Sequence, residues 1–167
     1  MSADENARRE TAPGSSSRYP SLVSDARRVL VCVDVPDRKA AVTAAVEARG
    51  YDADVATSAV DAMERLRKNP YGIVVLDEEF QGSTEHDNAV LKAIHAMPMS
   101  IRRYLFVTLI GRRLGTLDNM MAFARSVNLV VHVSDLSELA TILSRAVEDN
   151  DNFYRVYRDV LREAGKR

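Results

Sequence analysis

Tryptophan is absent from this 167-residue chain, cysteine occurs once, and only 6% of residues are aromatic. A single cysteine excludes an internal disulfide, and Cys32 sits inside an apolar run, where a buried structural thiol is the expectation. Scarce aromatics leave little for stacking on nucleic-acid bases. The net charge of −1 gives no basic field that would draw nucleic acid or acidic lipid. Nucleic acid is therefore disfavoured as a partner.

No apolar run approaches the ~20 residues needed to span a bilayer, and the N-terminus lacks a basic start followed by an apolar stretch. A cytoplasmic protein with no membrane partner is expected. The three histidines, His86, His95 and His132, do not fall at metal-ligand spacings with Cys32, so no zinc signature exists. The seven glycines form no phosphate loop: Gly111-Arg112-Arg113-Leu114-Gly115 has the wrong spacing for either nucleotide fingerprint. There is no nucleophile elbow.

What remains is an ordinary globular composition, 46% hydrophobic and 28% charged, enough for one domain with a full core. Residues 1–26 are rich in Ser, Arg, Glu and Asp with few apolar side chains, and read as a flexible tail. From Arg27 onward strands and helices alternate. The strands are near-continuous β-branched runs, the pattern of a parallel sheet covered on both faces. They are expected over Arg28–Val33, Asp52–Ala56, Gly72–Leu76, Tyr104–Ile110 and Leu129–Val133.

Helices are expected between them. Pro36 and Gly50 bracket the first. Ser58 and Asp61 form a capping-box pattern at the second, which Asn69-Pro70 stops. A third is expected over Thr84–Met97, a fourth over Thr116–Arg125, and a fifth after Ser134-Asp135. Beyond Glu148-Asp149-Asn150-Asp151-Asn152 a sixth helix carries Phe153, Tyr157, Val160 and Leu161 on one face, with arginines on much of the remainder. Tyrosine, phenylalanine and arginine together suit an interface core. Four methionines, Met97, Met99, Met120 and Met121, are expected to fill core gaps.

Two aspartates end apolar strands. Asp34 follows Val29-Leu30-Val31-Cys32-Val33, and Asp77 follows Ile73-Val74-Val75-Leu76. In an open parallel sheet, functional groups gather beyond the carboxyl ends of the strands. Two carboxylates brought together there repel unless a divalent cation or a cationic side chain lies between them.

These two runs and the spacing of five β/α units resemble the receiver domain of two-component response regulators, the chemotaxis-type fold, over about residues 27–149. The resemblance implies a flavodoxin-like three-layer sandwich, a five-stranded parallel sheet with helices on both faces, plus an extra C-terminal helix over 150–167. It places Asp77 at the phosphoacceptor position, Asp34 at one of two acidic magnesium positions, and the backbone carbonyl of Glu79 as a further magnesium ligand. The departures are as specific as the match. Val33 stands where an acid is expected, Ile110 where a threonine or serine hydroxyl would meet the phosphoryl group, and Val133 where a lysine would; a one-residue shift would bring His132 there instead.

An aspartyl phosphate needs partners for three anionic oxygens, and each charge-assisted hydrogen bond contributes about 1.5–3 kcal/mol. The expectation is an atypical receiver, not an enzyme, that needs no cofactor and works by protein binding or self-association in signalling. Its partner surface would be the face of the fourth and fifth units or the C-terminal helix. The alternative is a phosphoryl-accepting receiver using Asp77 with magnesium on Asp34, in which Arg112 or Arg113 supplies the anion contact.

Overall fold

A computed structural model describes residues 27–164, except the side chains of Arg158, Leu161 and Arg162. The tail expected over 1–26 lies outside the described residues. Five strands, β1 (Arg28–Cys32), β2 (Asp52–Val55), β3 (Ile73–Asp77), β4 (Phe106–Gly111) and β5 (Leu129–His132), form one sheet in the order β2-β1-β3-β4-β5. All pairings are parallel. This is the flavodoxin-like order, whose topological switch point lies between β1 and β3.

The helices are α1 (Pro36–Glu47), α2 (Ala59–Lys68), α3 (Ala89–His95), α4 (Met99–Arg102), α5 (Asn119–Ala124) and α6 (Leu139–Glu163). Alternate strand residues feed two cores. Val29, Val31, Ile73, Val75, Ile110 and Val131 pack against α1 and α6. Leu30, Cys32, Val74, Leu76, Val107 and Val130 pack against the layer holding α2, α3 and α5. Both faces are covered, which is why the strand sequences do not alternate in polarity. Cys32 is buried, and desolvation pushes its thiol up to about 12.

Local chemistry sets the helix ends. The Ser58 hydroxyl accepts from the Asp61 amide at 3.1 Å as expected from the sequence, while Asp61 Oδ2 accepts from the amide of Thr57, one residue before the cap, at 2.9 Å. Gly50, at φ +79°, turns the chain after α1 into β2.

Three expectations are corrected. The third helix starts at Ala89, because Asn88 caps it through Leu91 N, while Thr84 and Asp87 form an isolated bridge. The fourth starts at Asn119, capped by Asp118, and Thr116 instead bonds Asp135 and the His132 amide. The fifth and sixth helices are one, since α6 runs unbroken through residues 148–152. The Asn150 Oδ1 in that stretch accepts from Asn128 Nδ2 at 3.5 Å, and Tyr154 packs on the core beneath.

Candidate functional site

Asp77 is the last residue of β3 and has 0% of its surface exposed. Its partner across the ladder is Ile110 of β4, so the residue beside the carboxylate on that side is a fully buried aliphatic side chain. On the other side β1 has just ended, and Val33 is built into the same core as Ile110. Burying a carboxylate among such neighbours costs several kcal/mol unless an opposite charge comes with it. The cation comes from α1.

Arg38 lies in the first turn of α1 and is itself buried. Its Nη1 donates to Asp77 Oδ2 at 2.7 Å and to Glu79 Oε2 at 3.2 Å. The other oxygen of Asp77 accepts from the Glu79 amide at 2.9 Å, so both carboxylate oxygens are occupied. Burial pulls the Arg38 pKa down, but the bonds to Asp77 and Glu79 more than offset this and leave it above the ordinary arginine value. The guanidinium is a permanent charge. A cation at a helix N-terminus opposes the macrodipole, and the two carboxylates it bridges offset that.

The loop after β3 is fixed by its own polar groups. Gln81 adopts φ 57°, and its amide donates to Asp34 Oδ2 at 3.0 Å, with its Nε2 at 3.4 Å from the same oxygen. Asp34 thus braces a left-handed turn. Asn88 Nδ2 lies 3.3 Å from the Asp77 carbonyl and 3.4 Å from that of Glu78, tying the start of α3 to the end of β3. Glu78 is also buried, and its Oε1 accepts from the Arg112 amide at 3.1 Å. It lies so close over Gly111 that a Cβ there would come within 2.3 Å of its carboxylate carbon. A side chain at residue 111 would require the Glu78 carboxylate to move.

At the end of β5, His132 and not Val133 is the final strand residue, and its imidazole bridges the Arg112 carbonyl at 3.0 Å and the Ser134 hydroxyl at 2.7 Å. Val133 packs against the core. Arg112 does reach the rim of the site, with Nε 3.6 Å from Glu79 Oε2. Arg113 pairs instead with Glu85 at 3.6 Å, and Arg125 bonds that same glutamate.

A magnesium ion, the group the fold implies for this position, does not fit these residues. One oxygen of Asp77 faces a guanidinium, the other an amide, and Asp34 is engaged with Gln81. Among the described residues, no group of three or more His, Cys, Asp and Glu is arranged to hold a metal ion. Of the residues singled out in the sequence, the structure joins Asp77 and Glu79 through Arg38, brings Arg112 to Glu79 at the rim, and sets Asp34 against the adjoining loop. Arg38 was not singled out, nor were Glu78, Gln81 and Asn88. The signal available for Arg38 was a basic residue in a first helical turn, directly after Pro36-Asp37, where acids are favoured.

Away from the site, two helices expose apolar side chains. On α6, Phe153 (68% exposed), Val156, Tyr157 and Val160 face outward, while Tyr154 turns to the core. On and before α5, Leu117, Met120 (77%) and Phe123 (81%) are open. A cleft of ≈650 Å³ between them is lined by Leu117, Ile142 and Phe153. The methionines divide: Met97 and Met121 pack on the core, whereas Met99 and Met120 are exposed.

No family model and no curated protein matches the chain. Solved receiver domains are among the structures with the same fold. NtrX from Brucella abortus, in complex with ADP, is 17% identical with a TM-score of 0.57, and the match covers 84% of this chain and 30% of that one. The chain therefore spans under a third of the length of NtrX. The receiver domain of a Francisella response regulator is 15% identical, with a TM-score of 0.56 and 73% and 97% of the two chains covered. The receiver domain of a sensor histidine kinase from Pseudomonas aeruginosa, which holds a magnesium ion in its active-site cleft, is 16% identical, with a TM-score of 0.56 and 72% and 97% covered. At these identities the likeness establishes the flavodoxin-like receiver fold.

Proposed function

We propose that this protein is an atypical receiver whose phosphoacceptor position is neutralised from within, and that it serves signalling as a phosphorylation-independent protein-interaction module. The observation that carries the reading is the Arg38 guanidinium 2.7 Å from Asp77 Oδ2. It occupies the carboxylate with a fixed side chain, where an acceptor needs its oxygen free for attack on a phosphodonor.

The absent groups support the same reading. Val33 and Ile110 present hydrocarbon beside Asp77, and the end of β5 offers a histidine already held between Arg112 and Ser134. With no hydroxyl at residue 110, a phosphoryl group would lack the hydrogen bond that draws a loop inward. Binding is assigned to the outward side chains of α5 and α6, principally Met120, Phe123, Phe153, Tyr157 and Val160. Exposed aromatic and methionine side chains are enriched at interface cores. The occupant is a protein partner or a second copy of the chain. No cofactor and no catalysis enter this role, which belongs in the cytoplasm; among the described residues, no helix is long and apolar enough to cross a membrane.

Incubation of the full chain with a small phosphodonor and magnesium, followed by intact-mass measurement, tests the reading. No phosphate adduct is expected on the wild type. An adduct on the wild type that disappears in Asp77→Asn would overturn the proposal and establish the acceptor alternative.

A further inference from the structure

A second apolar surface lies on the opposite side of α3 from α5, along the seam where α2 faces α3 and α4. A groove of ≈710 Å³ is lined there by Val60, Met63, Leu66, Met97 and Ile101. It continues into a smaller cleft of ≈240 Å³ through Leu66, Met97 and Ile101, which line both. Val60 and Ile101 are exposed along it, and Met99 and Tyr104 are exposed on and just after α4. This trough plays no part in the carboxyl-end site.

Its shape suits a helix. On α2 the lining residues Val60, Met63, Glu64 and Arg67 stand at the i, i+3, i+4, i+7 spacing of one helical face. Opposite them Ala93 and Ala96 are small, so a third rod can come close between α2 and α3. The ten residues of α2, at about 1.5 Å rise each, give the trough a length of roughly 15 Å, about three helical turns. No strand residue lines the groove, so an extended segment would find no ladder to join, whereas a helix satisfies its own backbone. The flexible side chains of Met63 and Met97 let the walls adapt.

The charges at the rim set the sign of the occupant. Glu64 pairs with Lys68 at 3.7 Å, and those two charges cancel. Arg67 lines the groove at the end of α2, and Arg103 follows α4, its Nε donating to the Met99 carbonyl at 2.9 Å. Among the described residues neither guanidinium has a carboxylate partner, whereas Arg28, Arg38, Arg65, Arg112, Arg113 and Arg125 each have one. Two unneutralised cations therefore flank one end of an apolar trough.

We propose that the α2–α3/α4 trough docks an amphipathic helix of a partner protein, which lays an apolar stripe along Val60, Met63, Leu66 and Ile101 and sets acidic side chains against Arg67 and Arg103. A concave trough receives a rod; it gives little contact to the flat surface of a bilayer. The proposal adds a partner class on a surface separate from α5 and α6, and it does not depend on whether Asp77 accepts phosphate.

Fluorescence anisotropy with the full chain and a synthetic helix tests it. The probe is a labelled, end-capped peptide of about 14 residues with leucines at i, i+3, i+4 and i+7 and glutamates beside them; in its control, lysines replace the glutamates. The acidic peptide is expected to bind, and the lysine peptide to bind at least about tenfold more weakly. Arg67→Glu with Arg103→Glu should reverse that order. Val60→Ser with Ile101→Ser should abolish binding of both peptides without changing the circular dichroism of the fold. In methyl spectra the acidic peptide should shift Met63 and Met97 and leave Ile142, on the opposite layer, in place.

No binding of the acidic peptide, equal binding of the two peptides, or binding that survives Val60→Ser with Ile101→Ser overturns the proposal. Binding to phosphatidylserine vesicles without binding to the peptide overturns it in favour of a membrane. Self-association of the chain that Val60→Ser with Ile101→Ser removes overturns it in favour of a second copy. None of these results bears on the phosphodonor test of Asp77, so the two readings fail separately.

Discussion

The carboxyl end of the sheet and the outer faces of α5 and α6 treat their side chains in opposite ways. At the first, Asp77, Glu78 and Arg38 are buried, and their charged groups are held by ion pairs or backbone amides. At the second, Phe123, Met120 and Phe153 stand in solvent although each could contribute about 1.5–3 kcal/mol if covered. A site built to react keeps a polar group free; a surface built to bind keeps apolar area free. Here the free groups are apolar. The difference supports the proposal that the carboxylate ending β3 serves the framework and that binding belongs to the outer helices.

The largest effect that would break the comparison comes from the ion pair. Arg38→Ala leaves Asp77 buried without its cation and should destabilise the fold by about 3–5 kcal/mol, read as a lower urea midpoint. A loss below ~1 kcal/mol would mean that the pair is incidental. Next is Gly111→Ala, which drives a methyl into the Glu78 carboxylate; about 1–3 kcal/mol of destabilisation is expected, as for other overpacked sites. Gly111→Ala combined with Glu78→Ala should recover part of that loss, because the obstacle is removed.

Smallest in stability is the helical surface. Phe153→Ser with Tyr157→Ser should cost about 1 kcal/mol, since both side chains are largely exposed and lose only their edge-to-face contacts with Tyr154. Any association of the full chain seen by light scattering should weaken in this variant. Unchanged association would move the interface to α5, where Phe123→Ser is the corresponding substitution.

How far the sequence foretold this division follows from what each part depends on. The strands were legible because burial on both faces writes itself as unbroken apolar runs such as Ile73–Leu76. Asp34 and Asp77 stood out as carboxylates closing those runs. Arg38 did not, because a long cationic side chain on a helix reads as solvated until the fold brings β3 alongside. The continuity of α6 was hidden for a similar reason: the polar run at 148–152 looks like a break, yet Asn150 meets Asn128 and the helix persists. Likewise Asn88 fixes the start of α3 through carbonyls eleven and ten residues earlier, a contact no local pattern records.

The most direct test of the central claim, that Arg38 is the internal counter-ion of Asp77, is a double-mutant cycle on urea unfolding with Arg38→Met, Asp77→Asn and the pair. The two groups are in contact, so a coupling free energy of about 1–3 kcal/mol is predicted, with the double variant more stable than the sum of the single losses implies. Losses that add to within about 0.5 kcal/mol would contradict it.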